Sequence, residues 1–182
     1  MQALECPKCG APVTVGLTQC TFCKAVFTND VAETEEAGDA DGLESGWRFC
    51  TKCDALWAES DKGVGPCAGG GVHVGDEDSW YVLSVDDEDF GGDEGWEWCA
   101  RCNCLFSSET GGVCAAGGKH DGTESGDYRV ACELEDDDAE EEGWRWCSKC
   151  HVMFFDEGDK PCAAGGLHDE GDDEYVLTFD LD

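Results

Sequence analysis

Basic side chains are scarce in this 182-residue chain: 11 Lys and Arg face 43 Asp and Glu, for a formal net charge of −32. A surface of that sign repels phosphate backbones and anionic lipid headgroups. It argues against a nucleic-acid track, because Arg48, Arg101, Arg129 and Arg145 are scattered among acids rather than gathered on one face. Long apolar runs are missing as well, so no segment reads as a membrane span. The start, Met-Gln-Ala-Leu-Glu-Cys, lacks the basic region and apolar stretch of a secretory leader. A cytoplasmic location is expected, with export that uses no cleaved leader left open. No stretch shows convincing helical periodicity, which points away from helical folds.

What the chain has instead is 15 cysteines, an odd number that suits a disulfide framework poorly. Their spacing falls into four sets of soft ligands. The first is Cys6, Cys9, Cys20 and Cys23, two Cys-x-x-Cys pairs. The other three each combine a Cys-x-x-Cys pair, a lone Cys and a His six positions further on. They are Cys50, Cys53, Cys67 and His73; Cys99, Cys102, Cys114 and His120; and Cys147, Cys150, Cys162 and His168. Four thiolate or imidazole ligands per set is the complement of a closed, tetrahedral structural zinc site. The expected cofactor is therefore Zn²⁺, four per chain. Iron on the four-thiolate set is the alternative metal.

Aligning on the aromatic residue before each pair exposes a threefold repeat. Gly46-Trp47-Arg48-Phe49-Cys50 matches Gly95-Trp96-Glu97-Trp98-Cys99 and Gly143-Trp144-Arg145-Trp146-Cys147. An apolar pair follows each knuckle (Leu56-Trp57, Leu105-Phe106, Met153-Phe154), then a Cys-Ala-x-Gly-Gly turn before the His. Each repeat closes on an alternating segment led by Tyr81, Tyr128 or Tyr175. Period-two alternation is the strand signature. The predicted fold class is all-β: small, metal-stapled, zinc-ribbon-like antiparallel units in tandem, joined by acidic linkers. The expected boundaries are a ribbon over 1–28, a linker over 29–45 and repeats over 46–92, 93–142 and 143–182. A linear array of repeats is the first expectation and a closed pseudo-threefold ring the alternative.

Units of this size are near the limit of what a hydrophobic core alone sustains. A structural zinc ion contributes roughly 10–16 kcal/mol to the folding of small peptides, against about 5–15 kcal/mol of net stability for a whole domain. Metal is therefore expected to decide whether each unit folds, and each is expected to fold independently. The spare thiols, Cys104 and Cys132, align with Ala55 and Val152 and with Val85 and Phe179, so both read as small core residues. His151 aligns with Asp54 and Asn103 and reads as a surface residue.

The N-terminal set resembles the short zinc-ribbon family, on Cys6-Pro7-Lys8-Cys9-Gly10, Cys20-Thr21-Phe22-Cys23 and Phe27, with Lys24 where that family usually has glycine. Residues 46–182 resemble a Trp-x-Trp-Cys-x-x-Cys…Cys-x-x-Gly-Gly-x-His repeat of bacterial proteins, mostly of unassigned function. That resemblance implies a repeat module and no particular activity.

Catalytic signatures are lacking. No Glu stands as in the His-x-Glu…Pro-Cys-x-x-Cys pattern of the zinc deaminases. There is no phosphate-cradling glycine loop with its Lys and no zincin helix. The Cys-x-x-Cys pairs lack the βαβ context of a redox centre. The acidic runs after each His, such as Gly75 to Asp78, do not fit a calcium loop. The expectation is a non-enzymatic structural or interaction module, a subunit or adaptor of a larger assembly. Its partners would be proteins or a cationic surface, with no nucleic acid, membrane insertion or small-molecule substrate. The alternative is a carbohydrate- or polymer-binding module presenting Trp47, Trp96 and Trp144 as an exposed row. The competing assignment for those three is core packing over the metal knuckles.

Overall fold

In the three repeats the alternating segments become strands, and the cysteine pairs become turns that follow the first strand of each. The computed structural model describes residues 4–5, 12–13, 42–60, 63–109, 111–132 and 140–180. The chain divides into two compact units, residues 1–38 and 39–182. In the first, β1 (Leu4–Glu5) pairs antiparallel with β2 (Pro12–Val13), Leu4 opposite Val13. Cys6, Cys9, Cys20 and Cys23 lie outside the described residues, as do Lys24 and Phe27.

Among the described residues the second unit has nine strands, three per repeat. They are β3 (Leu43–Cys50), β4 (Leu56–Ala58) and β5 (Gly75–Val85); β6 (Asp93–Trp98), β7 (Leu105–Ser107) and β8 (Tyr128–Val130); β9 (Glu140–Cys147), β10 (Met153–Phe155) and β11 (Glu170–Phe179). All pairings are antiparallel and there is no helix among the described residues, hence none long and apolar enough to cross a membrane. Within each repeat the first strand pairs with both others: β3 with β4 and β5, β6 with β7 and β8, β9 with β10 and β11. The central strand carries a register shift beside Gly46, Gly95 or Gly143, whose φ values are 92°, 85° and 95°. Glycine takes that conformation without a Cβ penalty, and the bulge re-aims the Trp that follows.

The repeats close into a pseudo-threefold ring rather than a linear array. At one end the closing strands meet in turn: Val85 opposite Tyr128, Ala131 opposite Val176, Phe179 opposite Tyr81. At the other end the short strands meet in the same order: Trp57 opposite Cys104, Phe106 opposite Val152, Phe154 opposite Ala55. Closure satisfies backbone groups that isolated three-stranded units would leave at open edges. Strand β3 begins at Leu43, inside the stretch expected to be linker. Leu43 lies opposite Ser84 and Glu44 opposite Leu83, so those residues belong to the sheet.

Two buried clusters fill the ring, and the short strands separate them. Consecutive side chains of a strand point to opposite faces. Leu56, Leu105 and Met153 pack with Trp47, Trp96, Trp144 and the three tyrosines. Trp57, Phe106 and Phe154 pack on the opposite side with the cysteines. Each apolar pair is thus buried on both faces. Trp47, Trp96 and Trp144 are 0%, 3% and 0% exposed, which bears out core packing and overturns the alternative of an external binding row. Each stacks edge-on against a neighbour's tyrosine: Trp47 on Tyr128, Trp96 on Tyr175 and Trp144 on Tyr81, with ring centroids 5.1–5.2 Å apart. In a unit this small the largest side chain is needed to fill the space between repeats.

Candidate metal centres

Each knuckle is made by the turn after a central strand. The amide of the residue following the second Cys donates to the carbonyl of the first: Asp54 to Cys50, Asn103 to Cys99 and His151 to Cys147, all at 2.8 Å. Those three residues carry φ values of 56°, 64° and 65°. The lone Cys of each set opens a second tight turn, in which its amide donates to the carbonyl of Gly71, Gly118 or Gly166 at 2.9 Å. The two turns face each other and bring the ligands together.

Three clusters result: Cys50, Cys53, Cys67 and His73; Cys99, Cys102, Cys114 and His120; Cys147, Cys150, Cys162 and His168. Within each, the ligand atoms all lie within 4.8 Å of one another. The Sγ–Sγ separations of Cys50–Cys67, Cys99–Cys114 and Cys147–Cys162 are 3.8, 3.9 and 3.8 Å. A disulfide needs about 2.05 Å. A tetrahedron with Zn–S bonds of about 2.3 Å has S–S edges of about 3.8 Å, and its S–N edge to imidazole is about 3.6 Å. The observed Sγ–Nδ1 distances are 3.6 Å for Cys53–His73, 3.4 Å for Cys102–His120 and 3.6 Å for Cys150–His168. The clusters therefore have the dimensions of tetrahedral metal sites with Nδ1 as the imidazole ligand.

The surroundings suit anionic sulfur. Amides of Gly69, Ala116 and Ala164 donate to the lone cysteine of their own turn at 3.2–3.4 Å. Asp121 and Asp169 amides donate to Cys99 and Cys147. Without metal, the crowded sulfurs share their protons unevenly. Hydrogen bonds from Cys53, Cys102 and Cys150 push Cys50, Cys99 and Cys147 well below the usual thiol range. Burial opposes charge on His73, His120 and His168, yet the neighbouring sulfurs outweigh it and raise each imidazole to about 9. The neighbouring sulfurs and burial push Cys53, Cys102 and Cys150 upward, so each cluster retains protons that a divalent ion would displace on binding.

The outer imidazole nitrogen reaches into the next repeat. His120 Nε2 donates to the Cys150 carbonyl at 3.1 Å, and His168 Nε2 to the Cys53 carbonyl at 3.0 Å. Metal-bound imidazoles are commonly oriented by such a bond. Each ring also stacks on its own repeat's aromatic: His73 on Trp57, His120 on Phe106 and His168 on Phe154. The three centres surround one axis, whose apolar lining includes Ala55, Cys104, Val152 and the second cysteine of each knuckle.

Most basic side chains among the described residues are bound within the molecule. Lys52, Arg101 and Lys149, at one repeat position, reach carbonyls of the glycine turns. Arg48 pairs with Glu59, Arg129 with Glu94 and Arg145 with Glu174.

Several features escaped the sequence reading. His151 is half-buried and meets Trp146 edge-on, with centroids 5.2 Å apart, so it is not the surface residue expected. Its counterparts Asp54 and Asn103 are buried: Asp54 pairs with Lys160 at 3.2 Å, and Asn103 Nδ2 donates to the Gly63 carbonyl at 2.7 Å. Asp54 is pushed up by burial, which Lys160 opposes. Tyr81, Tyr128 and Tyr175 donate their hydroxyls to Glu141, Glu44 and Asp93 at 2.5, 2.6 and 3.2 Å, one bond across each junction. Cys104 is core, as expected, and Cys132 is partly buried beside the aromatic cluster. Comparison of the chain with protein-family models, curated proteins and solved structures gave no match.

Proposed function

We propose that this protein is a non-enzymatic zinc protein whose metal ions hold a rigid, acidic module for docking to a protein partner in a larger assembly. The observation that carries the reading is the tetrahedral spacing of three complete Cys3His sets around one axis. Catalytic zinc usually has three protein ligands and an open position. Each cluster here offers four ligands, and the aromatic stack on each His supports a closed, structural site. Zinc fits this donor set best among common divalent ions, since soft sulfur and imidazole in a tetrahedron leave little for oxygen-seeking ions. The N-terminal Cys6, Cys9, Cys20 and Cys23 would hold the fourth ion.

The outward chemistry supports the choice of partner. With Lys52, Arg101 and Lys149 turned onto glycine-turn carbonyls and Arg48, Arg129 and Arg145 paired with acids, the remaining surface is dominated by carboxylates. A cationic protein surface is complementary to it. The test combines elemental analysis with capture from native extract at low and high salt. Zinc near four per chain and one stoichiometric basic partner, released by salt, is the expected result. A single-site metal content, or no stoichiometric partner at low salt, would contradict the reading.

A further inference from the structure

The three metal centres are not equivalent: His73 stacks on Trp57 where its sisters stack on Phe106 and Phe154, and its outer nitrogen meets a side chain rather than a carbonyl. In the second and third centres the outer imidazole nitrogen donates directly to a backbone carbonyl of the next repeat, at 3.1 and 3.0 Å. By the ring's symmetry, the matching acceptor for His73 is the carbonyl of Cys102. Cys104 stands between them. Its Sγ lies 3.4 Å from His73 Nε2 and 3.7 Å from the Cys102 carbonyl oxygen. The sister positions are Ala55 and Val152, which carry no hydrogen-bonding side-chain atom, so nothing intervenes there.

We propose that Cys104 is a positioning residue that makes the first centre the exchangeable one, by receiving the His73 hydrogen on sulfur in place of a carbonyl oxygen. The inference rests on the zinc reading above and concerns the regulation of those same sites. A thiol sulfur is a weak acceptor, and a backbone carbonyl a strong one. The outer bond fixes the orientation and basicity of the imidazole, and disturbing it typically costs about 10–100-fold in metal affinity. Cys104 is 3% exposed and belongs to the core cluster, so solvent does not replace the missing carbonyl bond. The first centre therefore holds its ion with a looser imidazole than the other two. Metal could pass through it while the second and third centres keep the ring closed.

The test uses the full chain loaded with ¹¹³Cd, each resonance assigned through coupling to its own Cys and His protons. Unlabelled Cd²⁺ is then added, and the decay of each signal is followed under native conditions. The His73 centre should exchange about 10–100 times faster than the His120 and His168 centres. Cys104→Val and Cys104→Ala, which install the sister residues, should bring it to the rate of the others without altering the fold by circular dichroism. Equal rates in the native protein, or a fast first centre that persists in both variants, would overturn the proposal. The number of resonances reports separately on the underlying reading: three assigned Cys3His signals support it, and their absence overturns both.

Discussion

Tyrosine hydroxyls hold the junctions where repeats meet. Tyr81 is buried and donates to Glu141 at 2.5 Å, and burial together with that carboxylate raises the phenol well above its usual range. The hydroxyl thus stays protonated and remains a donor at neutral pH. A hydrogen bond to a charged group contributes about 1.5–3 kcal/mol. Tyr81→Phe should lower stability by about that amount, read as a shift in the denaturant midpoint at unchanged slope. Tyr175→Phe should cost less, because its bond to Asp93 is longer, at 3.2 Å. None of these acids stood out in the sequence. Glu44, Asp93 and Glu141 sit in acidic runs, where one carboxylate looks like the next.

Strands and turns were the most legible level. Ligand spacing and the Trp-x-aromatic and Tyr-led alternation anticipated the central and closing strands, because period two reports directly on which face is buried. The three Cys3His sets were legible for the same reason: tetrahedral chelation constrains sequence spacing tightly. Linker boundaries were not. Leu43 to Ser45 look like linker by composition yet are sheet, because strand pairing is a backbone property that acidic side chains tolerate at an exposed face. The left-handed turn residues also hid their role, since Asp54, Asn103 and His151 share a conformation rather than a side chain. At this scale the glycine turn offers a test. Gly118 has a φ of 75° and accepts the Cys114 amide two residues before His120. Gly118→Val would strain the backbone by about 1–3 kcal/mol. Metal affinity at the His120 centre should then fall about tenfold or more in a cobalt titration. Gly158→Val should be silent, because a Cβ there meets nothing within 4 Å and φ is not in the left-handed region.

The whole ring behaves differently from three beads on a string. Sequence alone suggested independent repeats. In the structure every junction shares strand pairing, a Trp–Tyr edge contact and a tyrosine–carboxylate bond, and the short strands close around one axis. A defect in one centre is therefore transmitted to its neighbours. Cys147→Ser removes a ligand from the third centre and leaves a buried hydroxyl among thiolates. Its effect should be a single unfolding transition at much lower denaturant, with amide protection lost together in all three repeats. Loss confined to residues beyond Gly143 would favour separate units. The most direct measurement of the central claim is removal of metal by excess strong chelator. Near-ultraviolet circular dichroism of the buried tryptophans and hydrogen exchange across residues 42–180 would be followed as any bound metal is withdrawn. The account predicts that the ring unfolds as one body once its ions are gone and refolds when zinc returns. A metal-free protein that keeps its tryptophan signal and its protected amides would contradict it.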